Sequence, residues 1–304
     1  MTAPMTRPPS FVHIGLQKTA TTTFQEHFFG SHPDIAYLGR PFADPEIDAL
    51  VKAVYLHEKV EFDSARWQQV RDAKIRPQLG RGRIVGLSDE FLSAPGPHVD
   101  RGVVAERLKW LLGDCVALIT IRNQVEILRS EYIDTIKYRP YQSFREWIEA
   151  GLADPAGSSL RLYDYRKLAA YYASVFGDAN VRILLFEEFL RSRDAFLAKL
   201  CEALGIDAAA ARPLLAGKHE NPRKSSRLLR YKALRSRVLP GVHLSRLIPG
   251  PITDVALRYL HAGRAATVEI GDTLRQRIET HYRGSNRALA AEYGLPLQAH
   301  GYAT

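Results

Sequence analysis

Cysteine is scarce in this chain of 304 residues, which contains only two. Cys115 precedes an apolar run and Cys201 lies in a helical pattern, so we predict that both are small core residues. No group of cysteine and histidine residues has the spacing of zinc ligands. The sequence therefore argues against a fold held by disulfides and against a structural zinc site.

Long apolar runs are also missing. No stretch of about 18 apolar residues is present to span a bilayer, and the opening MTAPMTRPPS lacks the apolar centre of a signal peptide. With 46% hydrophobic and 25% charged residues, the chain has the composition of a soluble globular protein. We therefore expect a cytoplasmic protein with a flexible tail at residues 1–10 and a single α/β domain at residues 11–304.

Acidic residues are absent from the most basic part of the chain. The formal net charge is +9, and much of the excess lies in RKSSRLLRYKALRSR, residues 223–237. Surface helices usually mix charges of both signs, so this cluster predicts an anionic partner. A polyphosphorylated cofactor, an acidic acceptor, a membrane surface and a nucleic acid would all suit it.

Apolar runs typical of strands alternate with helical patterns along the chain. Because these runs are apolar on both faces, they predict a central parallel sheet flanked by helices. Ligands of such a sheet collect at the carboxyl ends of its strands. The predicted strands are 11–16, 83–88, 116–121 and 181–186, and the predicted helices are 45–58, 64–76, 101–112, 123–138, 142–151, 160–176, 193–204 and 267–293.

A lysine and four threonines follow the first predicted strand, in GLQKTATTTF. A helical pattern begins there and ends near Gly30, and the first backbone N–H groups of a helix lack intrahelical partners. Lys18 adds a positive charge, and Thr19, Thr21 and Thr22 add hydroxyl donors. This turn is therefore a predicted binding site for phosphate or sulfate. A simple helix cap would need only one threonine.

The turn lacks the second glycine of an ATP or GTP loop. That motif reads G-x-x-x-x-G-K-[ST], whereas here Gly15 is followed by Leu16-Gln17-Lys18-Thr19. A small-molecule or nucleoside kinase is thus disfavoured, although it stays the nearest enzymatic alternative. The other alternative is a basic nucleotide-binding or nucleic-acid-binding module without turnover.

A second candidate anion site follows the third predicted strand. Arg122 comes directly after that strand, and Ser130 lies eight residues further along a predicted helix. A guanidinium fork with a nearby hydroxyl is suited to binding a phosphate. An arginine at a strand end can instead form an ordinary ion pair, so this motif gains weight only beside the first.

The two motifs together resemble those of sulfotransferases that use 3′-phosphoadenosine-5′-phosphosulfate (PAPS). Their 5′-phosphosulfate loop usually reads K-[TS]-G-T-T, so Ala20 stands where glycine is common, and we expect it to avoid a positive φ angle. Arg122 and Ser130 match the family's pair for the 3′-phosphate, and Tyr132 matches the ending R-x-x-S-x-Y. Gln124 stands where many members have proline.

The resemblance covers roughly residues 11 to 302 and is of the bacterial or carbohydrate type. Residues 181–206 are similar to a strand, acidic turn and helix of that family, and residues 274–297 are similar to its closing helix. It implies a P-loop NTPase-like fold, PAPS as cofactor and 3′-phosphoadenosine-5′-phosphate (PAP) as product. It further implies an acceptor with a hydroxyl group, of which a carbohydrate and a glycolipid are the expected classes, and it implies no nucleic acid and no metal.

The resemblance also assigns roles to residues. Lys18 would stabilise the leaving phosphate, and the phosphate would be held by Gln17, Lys18, Thr19, Ala20, Thr21 and Thr22. Ser88-Asp89-Glu90 matches the S-x-E that follows a strand in relatives with a carboxylate base, so Glu90 is the predicted base. Asp89, His27 and His57 are the alternatives, whereas His13 is predicted to be a core residue.

The basic stretch receives two predicted roles. Arg223 and Lys224 would belong to a loop that holds the nucleotide, as a basic C-terminal loop does in the family. The remaining basic residues up to Arg237 would face an anionic or lipid-linked acceptor, or contact a membrane surface peripherally.

Overall fold

Five parallel strands form the central sheet in the computed structural model, which describes residues 8–135, 142–216, 231 and 268–304. The strand order is β2-β3-β1-β4-β5. The parallel sheet predicted from the apolar runs is thus confirmed, and only the short β2 was not predicted. The strands are β1 (Ser10–His13), β2 (Ile35–Tyr37), β3 (Ile84–Ser88), β4 (Val116–Ile121) and β5 (Val181–Leu185).

Helices connect the strands and cover both faces of the sheet. Within the described residues the α-helices are α1 (Thr21–Thr23), α2 (Pro45–Leu56), α3 (Ser64–Val70), α4 (Arg101–Leu112), α5 (Gln124–Thr135), α6 (Phe144–Ala153), α7 (Tyr165–Phe176), α8 (Phe186–Arg191), α9 (Arg193–Leu204), α10 (Ala208–Ala211) and α11 (Asp272–Tyr293). Helix α1 continues as a π-helix over Phe24–Phe29. Helix α3 likewise continues as π-helix and 3₁₀-helix through Gln78.

Local sequence explains several of the helix ends. Asp44 caps α2 by accepting hydrogen bonds from the backbone of the first turn, with Pro45 as the first helical residue. Ser143 and Glu146 form a reciprocal capping box at the start of α6. Gly205 ends α9 in the left-handed conformation, with a φ angle of 63°.

Two apolar clusters lie on the two faces of the sheet. All residues of β1, β3 and β4 are buried, because neighbouring strands or helices cover them on every side. Successive residues of a strand point to opposite faces, so Val12 packs in one cluster and Phe11 in the other. The second cluster is rich in aromatic rings, contributed by Phe24, Phe28, Phe29, Phe186, Phe189 and Phe196. Cys115 and Cys201 are both buried and free, as predicted.

The register of the sheet brings three loops to one edge. His13 at the end of β1 lies beside Ser88 at the end of β3, and beside Leu118 in β4. Since all three strands are parallel, the loops that follow them leave the sheet on the same side. These are the loops that contain Lys18, Glu90 and Arg122.

The described residues contain neither a candidate membrane span nor a candidate metal-ion cluster. None of the described helices is long and apolar enough to cross a membrane. No group of three or more histidine, cysteine, aspartate or glutamate residues in the same ranges is arranged to hold a metal ion.

Candidate active site

The loop between β1 and α1 contains two residues in a backbone conformation that is usual only for glycine. Lys18 and Ala20 have φ angles of 70° and 59°, in the left-handed region. The prediction that Ala20 avoids a positive φ angle is therefore wrong. The loop bends sharply on both sides of Thr19, with alanine instead of glycine at the second left-handed position. Left-handed residues in such turns let backbone N–H groups converge on an anion.

Buried contacts hold this loop from below. The side chain of Thr19 is fully buried, and its hydroxyl donates a hydrogen bond of 2.6 Å to the carbonyl oxygen of Leu16. A hydroxyl has only one hydrogen, so the Thr19 hydroxyl cannot also donate to a ligand, contrary to the prediction. The backbone N–H of Thr19 remains its candidate donor to an anion. At Gly15 a Cβ atom would lie 2.5 Å from the ring of His13, so only glycine fits there.

The other predicted loop residues lie nearer the surface. Gln17, Lys18 and Thr22 are half-buried, and Thr21 is 5% exposed. Thr21 begins the helical segment that continues through the π-helix, so the first N–H groups of this segment lack intrahelical acceptors. The ammonium group of Lys18 and these N–H groups give this end of the segment a positive potential.

Lys18 forms an ion pair with a residue that the sequence analysis did not single out. Its Nζ lies 3.1 Å from Oδ2 of Asp134 near the end of α5, and the two side chains are 32% and 29% exposed. Asp134 lies four residues after Ser130, so both project from the same side of α5. This ion pair therefore places the half-buried Ser130 on the side of α5 that faces the loop.

Arg122 contacts the loop directly. Its Nη1 donates a hydrogen bond of 3.0 Å to the carbonyl oxygen of Lys18, and its guanidinium carbon lies 5.0 Å from the ring centroid of Phe186. The carbonyl oxygen of Arg122 accepts a hydrogen bond of 2.5 Å from the hydroxyl of Tyr165. The two candidate anion sites of the sequence are thus neighbours, joined by a hydrogen bond.

Asp89 and Glu90 have different surroundings after β3. Asp89 is fully buried, and it accepts hydrogen bonds from Nη2 of Arg40 at 3.3 Å and from the backbone of Phe91 at 3.0 Å. Burial raises the pKa of Asp89, although Arg40 and the bond from Phe91 oppose that rise. Asp89 therefore caps the 3₁₀ turn Glu90–Leu92, and the half-buried Glu90 is the more exposed of the two carboxylates.

A buried chain of polar side chains connects Glu90 to the floor of the loop. Nε2 of Gln25 donates to Oε2 of Glu90 at 3.3 Å and to Oγ of Ser88 at 3.1 Å. The Ser88 hydroxyl lies 2.9 Å from Nδ1 of His13, whose Nε2 lies 3.0 Å from Oγ1 of Thr120. Both ring nitrogens of His13 are therefore satisfied, as expected for a core residue, and burial lowers its pKa to about 3.

The two alternative histidine bases have other neighbours. The ring of His27 in the π-helix lies near its sequence neighbour Glu26, with Nε2 and Oε2 3.9 Å apart. His57 follows the end of α2, and its ring lies 6.4 Å from that of Trp67. Glu90, which follows β3, is hydrogen-bonded to Gln25 of the same helical segment that contains His27.

Some predicted residues lie outside the described residues. These are Arg223 and Lys224, with all of 223–237 except Tyr231, and the predicted end of α5 at residues 136–138. Sequence reasoning in turn missed Gln25, Asp134 and Arg40. The signal for Gln25 was a polar residue in the otherwise aromatic face of FQEHFF, and the signal for Asp134 was its spacing of one helical turn from Ser130.

The structure of this chain is similar to known structures, but its sequence has little similarity to known sequences. No family model and no curated protein matches the sequence. The structure is similar to a sulfotransferase from Alicyclobacillus acidocaldarius with a TM-score of 0.57 and 17% identity, covering 97% of this chain and 99% of that chain. The sulfotransferase domain of the Synechococcus PCC 7002 olefin synthase gives a TM-score of 0.41 and 13% identity, covering 92% and 97%.

Mouse sulfotransferase SULT7A1, solved in complex with PAP, gives a TM-score of 0.40 and 16% identity, covering 69% of this chain and 65% of that chain. Of these three likenesses, that to the Alicyclobacillus enzyme is close enough to identify a common fold. It extends over nearly the whole of both chains. The chain therefore has the fold of the sulfotransferases.

Proposed function

We propose that this chain is a PAPS-dependent sulfotransferase that transfers a sulfuryl group to a hydroxyl of its acceptor. The observation that carries the proposal is the hydrogen bond from Arg122 to the carbonyl of Lys18. Through this bond, two cationic side chains from different strand ends share one edge of the sheet. A ligand with two separated anionic groups suits such a pair better than a single phosphate does.

The hydrogen-bond donors and cations among the described residues fit a nucleotide that carries two separated anionic groups. The loop offers a left-handed backbone at Lys18 and Ala20, an ammonium group and the hydroxyls of Thr21 and Thr22. Such N–H groups, hydroxyls and cations bind phosphate and sulfate oxygens. Arg122 adds a guanidinium fork for the 3′-phosphate, together with the Ser130 hydroxyl.

Each residue then has a definite task in the transfer. When bound, PAPS would supply the sulfuryl group, and Lys18 with the N–H groups of the loop would face its 5′-phosphate, where negative charge develops during transfer. Lys18 neutralises charge at the loop, and the helical segment that starts at Thr21 orients the phosphate oxygens. Glu90 accepts the proton of the acceptor hydroxyl, and the amide of Gln25 holds the Glu90 carboxylate in place. No metal ion is needed because Lys18 supplies the cation.

The acceptor proposed here is a carbohydrate, free or linked to a lipid. Phe91 follows Glu90 directly, and its side chain is 37% exposed. The guanidinium of Arg40 lies 5.3 Å from its ring centroid. An aromatic ring next to a carboxylate and a guanidinium supports a sugar acceptor, because sugars present apolar faces and hydroxyl edges together.

The first test is calorimetric binding of PAP and ATP to the wild-type protein and to Lys18→Ala and Arg122→Ala. We expect PAP to bind with micromolar affinity, ATP to bind weakly, and each substitution to weaken PAP binding. Arg145→Ala is the matched control, since Arg145 is exposed and pairs only loosely with Glu149. If ATP bound as well as PAP, the kinase interpretation would replace this one.

The second test measures transfer of a radioactive sulfuryl group from PAPS to a panel of sugars, glycolipids, phenols and simple alcohols. We expect a sugar or glycolipid to be labelled, and we expect Glu90→Gln to abolish labelling while PAP binding is retained. If Glu90→Gln transferred sulfuryl groups at the wild-type rate, Glu90 would not be the base.

A further inference from the structure

The turn that carries Arg122 is held in place by the C-terminal segment of the chain, residues 297–304. Asn123 donates from its side-chain Nδ2 to the carbonyl oxygen of Gly301 at 2.7 Å. Its Oδ1 accepts from the backbone of Val125 at 3.0 Å and so caps the start of α5. The same asparagine therefore fixes the helix that carries Ser130 and contacts the C-terminal segment.

Glu187 forms a second link between the turn and the segment. Its Oε1 accepts a hydrogen bond of 2.8 Å from the backbone N–H of Asn123, and its Oε2 accepts one of 2.9 Å from the hydroxyl of Tyr302. Tyr302 is only 3% exposed. Burial and the neighbouring Glu187 raise its pKa well above the usual range, so the phenol stays protonated and donates.

A third link lies behind the first turn of α5. The side-chain amides of Gln124 and Asn286 bond to each other in both directions, at 2.7 Å and 3.1 Å. Asn286 also donates to the carbonyl oxygen of Ala303 at 3.0 Å. Gln124 thus belongs to a buried amide pair that reaches the C-terminal segment.

These links surround Arg122. Phe186, which precedes Glu187, packs against the guanidinium of Arg122. Asn123, which follows Arg122, is hydrogen-bonded to both Glu187 and Gly301. We infer that Tyr302, acting through Glu187, is a positioning residue that sets the direction of the Arg122 guanidinium and thereby determines recognition of a nucleotide 3′-phosphate. This inference rests on the proposed function, because it assigns the 3′-phosphate to Arg122.

The test compares two ligands that differ only in the 3′-phosphate, PAP and adenosine 5′-phosphate. We expect Tyr302→Phe to lower the affinity for PAP about tenfold and that for adenosine 5′-phosphate less than about twofold. A role limited to stability would weaken both ligands equally or neither. Tyr171→Phe is the matched control, because the Tyr171 hydroxyl likewise donates to a glutamate, Glu106, at 3.1 Å.

Two substitutions of Glu187 complete the test. Glu187→Gln keeps an oxygen for the Asn123 N–H, and the Tyr302 hydroxyl can rotate to accept from the new amide, so we expect affinities near those of the wild type. Glu187→Leu removes both bonds, and we expect it to reproduce the selective loss of PAP affinity. Thermal unfolding of each variant identifies any that has lost its fold.

The outcomes separate this inference from the proposed function. If the wild-type protein bound PAP no better than adenosine 5′-phosphate, the assignment of the 3′-phosphate to Arg122 would fail, and the inference with it. If the wild type preferred PAP but Tyr302→Phe and Glu187→Leu kept that preference, only the positioning role would be overturned.

Discussion

Arg122 donates a hydrogen bond to the backbone carbonyl of Lys18 across 3.0 Å, although the two residues are 104 positions apart in the sequence. The bond links the loop after β1 to the turn after β4, so neither cation is placed independently of the other. Lys18 has a further partner in Asp134. Lys18 is thus held by Arg122 through its backbone carbonyl and by Asp134 through its ammonium group.

Asp134→Asn should increase the affinity for PAP. Asp134 lies 3.1 Å from the ammonium of Lys18 and competes with any anion that approaches it. Because both side chains are about one-third exposed, solvent weakens the pair, and we expect a gain of about twofold to fivefold. Calorimetry at low and moderate salt measures it. Asp48→Asn, which removes the exposed partner of Lys52, is the control. Weaker binding by Asp134→Asn would show that its carboxylate assists the ligand instead.

Two threonines of the loop should respond differently to replacement by valine. Thr19→Val removes a buried hydroxyl that donates to Leu16, so we expect a loss of about 1 to 2 kcal/mol in the free energy of unfolding. Thr22→Val alters a half-buried hydroxyl, so stability should change by less than about 0.5 kcal/mol while PAP affinity falls. Urea unfolding and calorimetry on both variants decide the matter. Equal effects of the two variants would contradict the different roles.

Ala20→Gly should stabilise the protein. Alanine in the left-handed region costs about 1 to 2 kcal/mol, and the entropy gained by an unfolded glycine offsets about 0.4 to 1 kcal/mol of that. With φ of 59° at Ala20, we expect a net gain of about 0.5 kcal/mol in urea unfolding. Ala20→Val is the matched variant and should lose stability, since a β-branched side chain suits this conformation poorly. A loss of stability in Ala20→Gly would mean that the methyl group makes a compensating contact.

His13 should make stability depend on pH. The unfolded histidine titrates near 6.5, whereas the buried ring titrates at about 3. Between these values the unfolded state binds a proton that the folded state does not, so the free energy of unfolding falls as pH falls, by up to about 1.4 kcal/mol per pH unit. His13→Gln should flatten this slope between about pH 5 and pH 7. His98→Gln, which removes an exposed imidazole, is the control, and identical slopes in wild type and His13→Gln would refute the prediction.

The sequence predicted those parts of the fold that local patterns encode. The bounds of β4, α4 and α9 match the prediction, because each has an apolar pattern and clear end signals. Strand β2 was missed, since three residues, Ile35–Tyr37, are too few to show a pattern. The break at Asp164 between the 3₁₀ turn Ser159–Tyr163 and α7 was also hidden, because both pieces are apolar at helical spacing.

The candidate site was predictable only in part, because local sequence patterns place residues after strands but do not reveal contacts between elements. Lys18, Arg122 and Glu90 each follow a strand, so the sheet alone brings them to one edge. Gln25 and Asp134 act through contacts between elements, which no local pattern contains. The side chain of Thr19 turned inward because the left-handed backbone of its two neighbours reverses the chain there, and threonine itself gives no sign of that reversal.

The strand order β2-β3-β1-β4-β5 has a consequence for how such a protein can diversify. The central strand β1 divides the sheet into two flanks of two strands each. One flank, β2 and β3 with the segment up to Glu90, supplies the groups proposed to meet the acceptor. The other, β4 and β5 with the C-terminal segment, supplies Arg122, proposed to meet the 3′-phosphate, and the loop after β1 itself carries Lys18. We therefore expect relatives with other acceptors to differ at exposed positions of residues 35–98, while the buried Ser88, which is bonded to His13 of β1, stays the same.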